Sequence, residues 1–165
     1  MESRKITKYL FTIYLLALVW IILFKLQLSF ANLPYLRNVN LIPFGDSTIV
    51  NGTIDFSEIA YNLVVFIPFG LFIAMLWENV SFPKKVVPVL LTSLGFEVIQ
   101  FVLAIGASDI TDLLMNTAGG MVGIGLFYIL SKLLKDKTVP ILNAVCLIGA
   151  VSSFFFIGLI LFVNL

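Results

Sequence analysis

Ionisable and amide side chains gather in one stretch of an otherwise strongly apolar chain: Glu97, Gln100, Asp109, Asp112 and Asn116. Glu97 stands inside a continuous apolar run. A charged side chain at such depth in a bilayer costs roughly 2.5–3.5 kcal/mol on insertion scales, so an intramembrane carboxylate is by default a candidate functional residue. These five residues therefore form the candidate site.

Carboxylates and amides at one place permit several kinds of chemistry. Two close carboxylates can share a proton and form an acid–base pair. The same oxygens could hold Ca²⁺ or Mg²⁺, or bind a sugar or peptide head group through hydrogen bonds, and we assign no metal ligand or cofactor. The chain has no histidine, which excludes a Ser–His pair and a histidine-ligated zinc site. Its single cysteine, Cys146, cannot form an internal disulfide.

The composition assigns these residues to a membrane protein. Of 165 residues 61% are hydrophobic and 12% charged, the mean hydropathy is +1.12, and sixteen phenylalanines lie among long uncharged segments. Each crossing of a bilayer takes about 20 apolar residues and must be helical, because lipid satisfies no backbone groups. We predict a single-domain (1–165), all-α integral membrane protein with five transmembrane helices, at about 8–30, 58–78, 84–104, 109–134 and 138–164.

Basic residues indicate the orientation of the predicted helices. Three clusters fall on one side if five helices alternate, which leaves Lys25 and Arg37 on the other side. By the positive-inside rule, the N-terminus is then cytoplasmic and the C-terminus outside. A long outer loop, about 31–57, follows the first helix. The clusters are Arg4, Lys5 and Lys8; Lys84 and Lys85; and Lys132, Lys135 and Lys137.

Helical spacing arranges the candidate residues in stripes. Ser93, Glu97 and Gln100 share one face of the third predicted helix. Asp112 and Asn116 share a face of the fourth. A short turn joins the two helices, so they are expected to be antiparallel neighbours. We therefore expect Glu97 and Gln100 to face Asp112 and Asn116 on the outer side.

Helix capping is the alternative explanation for part of this pattern. Ser108 is a good N-cap candidate, and Asp109 and Asp112 would then lie in the first turn, where the helix dipole favours negative charge. Capping is sufficient for Asp109 alone. Further along the same face, Gly119 and Gly123 are spaced to let another helix backbone approach closely.

The second predicted helix adds an amide and a proline. Asn62 lies near its outer end and is expected to point toward the region of Glu97. Pro68 removes a helix hydrogen bond and frees the carbonyl of Val64, which predicts a kink. In the outer loop, Arg37 is the guanidinium available to meet a phosphate or carboxylate.

Four ordered motifs resemble the VanZ-like family, over about residues 38–125. They are Asn40-Leu41-Ile42-Pro43-Phe44; Asn62 with Phe66-Ile67-Pro68-Phe69-Gly70; Glu97-Val98-Ile99-Gln100; and Asp109-Ile110-Thr111-Asp112 through Gly120. The resemblance implies a small multi-pass protein of the cell membrane, mainly of Gram-positive bacteria, with a role in low-level antibiotic resistance to teicoplanin-type glycopeptides. Many members carry an arginine shortly before the Asp-x-x-Asp motif, here Asp109 to Asp112, where this chain has Ile105-Gly106-Ala107-Ser108.

Our leading interpretation is a cell-envelope protein whose outward polar pocket binds or modifies a lipid-linked cell-wall precursor or a glycopeptide. If it is an enzyme, Glu97 and Asp112 carry the acid–base work, and the alternatives are a non-catalytic shielding protein or a proton-coupled transporter. The lipid bilayer is its expected partner, and no nucleic acid is expected. The predicted substrate-binding residues are Asn62, Gln100, Asp109, Asn116 and Arg37.

Overall fold

A computed structural model of the chain describes residues 2–25, 36–44, 49–50, 53–54 and 56–163. It is mostly helical, as predicted. Parts of the predicted outer loop and the last part of the first predicted span, residues 26–30, lie outside the described residues. The five long helices are α1 (Glu2–Phe24), α2 (Phe56–Leu76), α3 (Phe82–Leu103), α4 (Ile110–Leu134) and α5 (Thr138–Val163).

Four described segments are long and apolar enough to cross a membrane, judged by length and composition: Ser3–Phe24, Phe56–Leu76, Phe82–Leu103 and Ile110–Phe156. The last has 47 residues and runs through α4, a 3₁₀ turn at Lys135–Lys137 and most of α5. The protein is therefore a helical membrane protein by these criteria. The predicted count of five spans and their orientation stay predictions.

The first helix ends earlier than hydropathy indicated. We placed its end near residue 30, but α1 stops at Phe24. Lys25 adopts a positive φ of 45°, a left-handed conformation that cannot continue a right-handed helix. Residues 26–30, which the prediction included, lie outside the described residues. Hydropathy alone does not detect such a stop.

Two pairs of short strands depart from the all-α prediction. Strands β1 (Leu36–Asn40) and β4 (Ile105–Asp109) form a parallel pair in which Asn40 lies opposite Asp109. Strands β2 (Ile49–Val50) and β3 (Thr53–Ile54) form an antiparallel pair. The predicted turn between the third and fourth helices is thus an extended segment. This segment is too short to form the internal hydrogen bonds of a helix. Pairing with β1 provides hydrogen bonds for part of its backbone N–H and C=O groups.

The tightest contact between helices joins α2 to α4 through glycines. A Cβ on Gly119 would lie 2.0 Å from the carbonyl oxygen of Leu63, and a Cβ on Gly123 would lie 2.0 Å from that of Ile67. No side chain fits at either position, so the two backbones touch there. This confirms the close approach predicted from the Gly119–Gly123 spacing and identifies α2 as the helix that approaches.

Pro68 lies within α2, which remains one continuous helix around it. The hydroxyl of Tyr14 on α1 donates a hydrogen bond of 2.7 Å to the carbonyl oxygen of Val65, one residue after the carbonyl that we expected to be freed. A neighbouring helix therefore supplies a donor to the backbone near the proline, as backbone groups in an apolar environment require.

The helix bundle gathers different polar groups at its two ends. At one end, called here the basic end, the start of α1, the α2–α3 turn, the end of α4 and the start of α5 line a common cleft. At the other, called here the carboxylate end, Gln100 of α3 contacts Ile22 of α1, and Asn62 of α2 contacts Asp112 of α4. Buried aromatic and aliphatic side chains fill the interior between these ends. The polar candidate residues thus meet at one end of an apolar core.

Candidate functional site

Glu97 holds the connection between α3 and α4 in place. Its side-chain Oε2 accepts a hydrogen bond of 2.8 Å from the backbone N–H of Asp109, and its own carbonyl oxygen accepts one of 2.7 Å from the hydroxyl of Ser108. The chain can return past Glu97 because α3 ends at Ala104 in a left-handed conformation with φ 55°. Glu97 is only 7% exposed, so its carboxylate is a buried part of this connection.

Asp109, not Ser108, is the N-cap of α4. Its Oδ1 accepts a hydrogen bond of 2.7 Å from the backbone N–H of Thr111, while its Oδ2 accepts one of 3.1 Å from the side-chain amide of Asn40 on β1. The predicted cap at Ser108 is therefore wrong by one residue, because the Ser108 hydroxyl is directed to α3 instead. Capping accounts for one oxygen of Asp109, and the other fastens β1 to the start of α4.

Thr111 connects the loop to the same place. Its hydroxyl oxygen accepts a hydrogen bond of 3.0 Å from the backbone N–H of Phe44, and its side chain is almost fully buried. Sequence reasoning did not single out this residue. The signal in the sequence that indicates Thr111 is its position between the candidate residues Asp109 and Asp112.

Side chains of two other helices, an amide of α2 and a hydroxyl of α3, contact the predicted stripe of α4. The side-chain amide of Asn62 on α2 donates a hydrogen bond of 2.6 Å to Oδ1 of Asp112. One turn further along, the amide of Asn116 donates one of 3.0 Å to the hydroxyl of Ser93 on α3. The structure therefore brings Asn62, Asp112 and Asn116 to one region between three helices.

Gln100 and Arg37 make contacts that differ from those we expected. Gln100 donates through Nε2 to the carbonyl oxygen of Ile22 on α1, at 3.2 Å, and so does not hydrogen bond to α4. Arg37 donates to the carbonyl oxygen of Val102 at 3.2 Å and lies over the ring of Phe101 at the end of α3. The β1–β4 register puts Arg37 opposite Gly106, in the stretch that we compared with the family's arginine.

Electrostatics links the carboxylates into one cluster. Glu97 interacts with the charges of Asp109 and Asp112, and Lys25 acts on both Glu97 and Asp112 with the opposite sign. Sequence reasoning used Lys25 only for orientation. Its position directly after the first helix, on the side of the candidate residues, was the signal that could have marked it as their cation.

Four oxygens in this region accept no hydrogen bond from the described part of the chain. Oε1 of Gln100 and Oδ1 of Asn116 are fully buried and have no partner there. The second carboxylate oxygens of Glu97 and Asp112, Oε1 and Oδ2, likewise receive no donor from the described residues. The two amide oxygens are costly to leave unsatisfied because they are buried, whereas the two carboxylate oxygens are open to a molecule that brings N–H or O–H groups.

The contacts of Glu97 and Asp112 bear on the acid–base, metal-binding and hydrogen-bonding chemistries that the sequence left open. Glu97 and Asp112 are each held by a nitrogen donor, and no hydrogen bond joins one carboxylate to the other within the described chain. Those residues also contain no group of three or more Cys, Asp or Glu side chains arranged to hold a metal ion. What they do form is a set of acceptor oxygens beside one cation, an arrangement that can hydrogen bond a polar head group.

The comparisons with known proteins agree with the motifs. The VanZ/LLP1 family model matches residues 11–131. That range contains Glu97, Asp109 and Asp112 together with the four helices that carry the cluster. The chain belongs to the VanZ/LLP1 family. Protein VanZ of Enterococcus faecium is 38% identical over 137 residues, which cover 82% of this chain and 81% of that protein. No solved structure matches the chain.

Membership of the VanZ/LLP1 family confirms the resemblance stated from the motifs. The matched range begins within α1, a helix that contains none of the four motifs. It ends at Ser131, near the end of α4. Helix α5 lies beyond the match. It packs on α1, where Thr7 donates to the side chain of Asn143 at 3.0 Å. The candidate cluster therefore belongs entirely to the part of the chain shared with the VanZ/LLP1 family.

Proposed function

We propose that this VanZ/LLP1 protein is a multi-pass protein of the bacterial cell membrane that binds a lipid-linked cell-wall component at its carboxylate end. Binding there lowers susceptibility to teicoplanin-type glycopeptides. The open carboxylate oxygens of Glu97 and Asp112 carry this proposal, because a partner with several N–H or O–H groups would satisfy them. Sugar hydroxyls and peptide amides of an envelope precursor supply such donors.

Charge favours the same class of ligand. Four carboxylates interact here, because the exposed Glu58 also acts on Asp112, whereas Lys25 is the cation that acts on two of them. A ligand that carries an ammonium or many hydroxyls reduces this excess of negative charge and acceptors. Arg37, exposed at the rim, is available for an acidic group of the same ligand. The proposed mode of action is binding or shielding, which needs only the open acceptors and the charges of this region.

The proposal requires five spans, with the carboxylate end outside. At 1.5 Å per residue, the 47-residue apolar segment is roughly 70 Å long, more than twice the ~30 Å hydrocarbon core. A division at the 3₁₀ turn Lys135–Lys137 yields two spans of ordinary length. Arg4 and Lys135 line one cleft at the basic end, which supports a cytoplasmic position for that end.

Cysteine accessibility tests this topology. In a Cys146→Ser background, we expect Asn38→Cys on β1 to react with a membrane-impermeant maleimide in intact cells. We expect Lys132→Cys to react only after permeabilisation. Asn38 and Lys132 are both exposed, so burial does not explain a difference between them. Reaction at Lys132→Cys with protection at Asn38→Cys would invert the topology and remove the outward site.

Asp112→Asn tests the function itself. The variant retains an oxygen for the amide of Asn62 but removes the charge, and hydrogen bonds to charged groups contribute roughly 1.5–3 kcal/mol. We expect the protection against teicoplanin in a susceptible Gram-positive host to decrease by about tenfold or more. The measurement is the minimal inhibitory concentration at equal membrane levels of the protein.

Glu58→Gln is the control for a charge that acts through space. Glu58 lies exposed in the first turn of α2, at the same end of the molecule, where its charge acts on Asp112, but removal of that charge leaves every described hydrogen bond of the cluster intact. We expect protection within about twofold of the wild type, since exposed charges contribute little. Equal protection by wild type and Asp112→Asn would contradict the proposed role of Asp112. Equal losses in both variants would show a general charge effect instead.

A further inference from the structure

A fully buried lysine lies at the basic end, far from the carboxylate cluster. Lys85, in the first turn of α3, has no exposed surface, although lysines are almost never fully buried unless they are paired. Its Nζ donates to the hydroxyl of Tyr128 at 3.0 Å and to the carbonyl oxygen of Glu78 at 3.4 Å. Both acceptors are neutral. Within the described chain, no carboxylate forms an ion pair with Lys85.

Both of these acceptor residues line a cleft of about 470 Å³. Its walls come from the starts of α1 and α5, the α2–α3 turn and the end of α4. The cations Arg4 and Lys135 and the acids Glu78 and Asp136 line it as well. With Lys85 behind the wall, three positive charges oppose two negative ones, which favours a small anion.

Tyr128 lines the cleft and contributes a hydroxyl donor. Because its hydroxyl oxygen accepts a hydrogen bond from Lys85, its own proton is available for another acceptor, and the described residues supply none. The nearby ammonium, 4.6 Å from the ring centre, polarises this O–H group. A donor polarised in this way suits an anionic oxygen.

The contact of Lys85 with Glu78 has a simpler explanation on its own. The carbonyl of Glu78 lies just after the end of α2, where a cation interacts favourably with the helix dipole. That explanation accounts for one hydrogen bond. It does not account for the open Tyr128 hydroxyl or for Arg4 and Lys135 on the same cleft.

We propose that this cleft binds a phosphate group, held by the Tyr128 hydroxyl, Arg4 and Lys135, with Lys85 as the charge behind them. Glu78 does not prevent this, because its ion pair with Arg4 is long, at 3.9 Å, and both side chains are largely exposed. The guanidinium of Arg4 can therefore turn to a phosphate. The phosphate belongs either to a phospholipid headgroup or to a soluble anion. This site is independent of the function proposed for the carboxylate end.

The test uses the full chain in nanodiscs. Inorganic phosphate is titrated by calorimetry into protein in phosphatidylcholine nanodiscs, and native mass spectrometry measures phosphatidylglycerol retained from mixed nanodiscs. We expect Tyr128→Phe and Lys135→Gln each to weaken the binding about tenfold. Tyr9→Phe and Lys132→Gln, exposed residues outside the cleft, are the matched controls and should remain within twofold.

The two arms distinguish the sources of the phosphate. Binding of inorganic phosphate that depends on Tyr128 and Lys135 supports a soluble anion. Retention of phosphatidylglycerol alone, with the same dependence, supports a lipid headgroup. The proposal is overturned if neither ligand binds, or if the Tyr128 and Lys135 variants bind as tightly as their controls. Tyr128→Phe also removes one of the two acceptors of the buried Lys85, whereas Lys135→Gln leaves both in place, so the Lys135 variant decides the result if the Tyr128 variant fails to fold.

Discussion

Glu97→Gln is expected to leave the protein folded and in the membrane but to weaken its protective effect about tenfold or more. The glutamine carbonyl oxygen still accepts the N–H of Asp109, so the α3–α4 connection remains. What disappears is the negative charge together with the open oxygen Oε1, which an NH₂ donor replaces, and a hydrogen bond to a charged group contributes roughly 1.5–3 kcal/mol. Teicoplanin susceptibility of producing cells, normalised to membrane level, measures the effect.

Glu97→Leu separates this role of the charge from the structural one. Leucine removes the acceptor and leaves the Asp109 N–H unpaired at a buried position, which costs about 1–3 kcal/mol. We therefore expect a lower melting temperature and a lower membrane level in addition to lost protection. Full protection by Glu97→Gln would show that Glu97 is a structural strut only.

Gly123→Val is expected to destabilise the protein by about 3 kcal/mol or more, since overpacking against a rigid backbone leaves little room to relax. The first added carbon would lie 2.0 Å from the carbonyl oxygen of Ile67 and 2.9 Å from the backbone nitrogen of Leu71. Helices α2 and α4 would have to separate, and Asn62 would move away from Asp112. Thermal unfolding in detergent measures the loss.

Gly125→Val is the matched control on the same helix. A Cβ at Gly125 meets nothing within 4 Å, so the same substitution two residues away should change stability by less than about 1 kcal/mol. Equal melting temperatures of the Gly123 and Gly125 variants would contradict the close α2–α4 contact. A selective loss in Gly123→Val would support it.

Hydropathy and spacing predicted the larger part of the fold, because lipid requires long apolar helices and these are visible in the sequence. The starts and ends of α2 to α5 agree with the predicted spans to within a few residues. The strands could not be predicted in the same way. Ile105–Asp109 is short and pairs with a segment 69 residues earlier in the chain.

For the site, the spacing placed Asp112 and Asn116 on one stripe of α4, because residues four apart on a helix share a face. The spacing could not show that Gln100 contacts α1, because the position of α1 beside α3 depends on packing between helices that are distant in the sequence. For the same reason, the sequence did not predict the contacts of Lys25 and Lys85. Both had been used only for orientation, and their partners lie on other helices.

Binding of a lipid-linked cell-wall precursor to the purified protein in nanodiscs tests the central claim most directly. We predict saturable binding that Asp112→Asn and Glu97→Gln each weaken about tenfold and that Glu58→Gln leaves nearly unchanged. Undetectable binding to the wild type, or equal affinity in all four proteins, would contradict a ligand site at the carboxylate end.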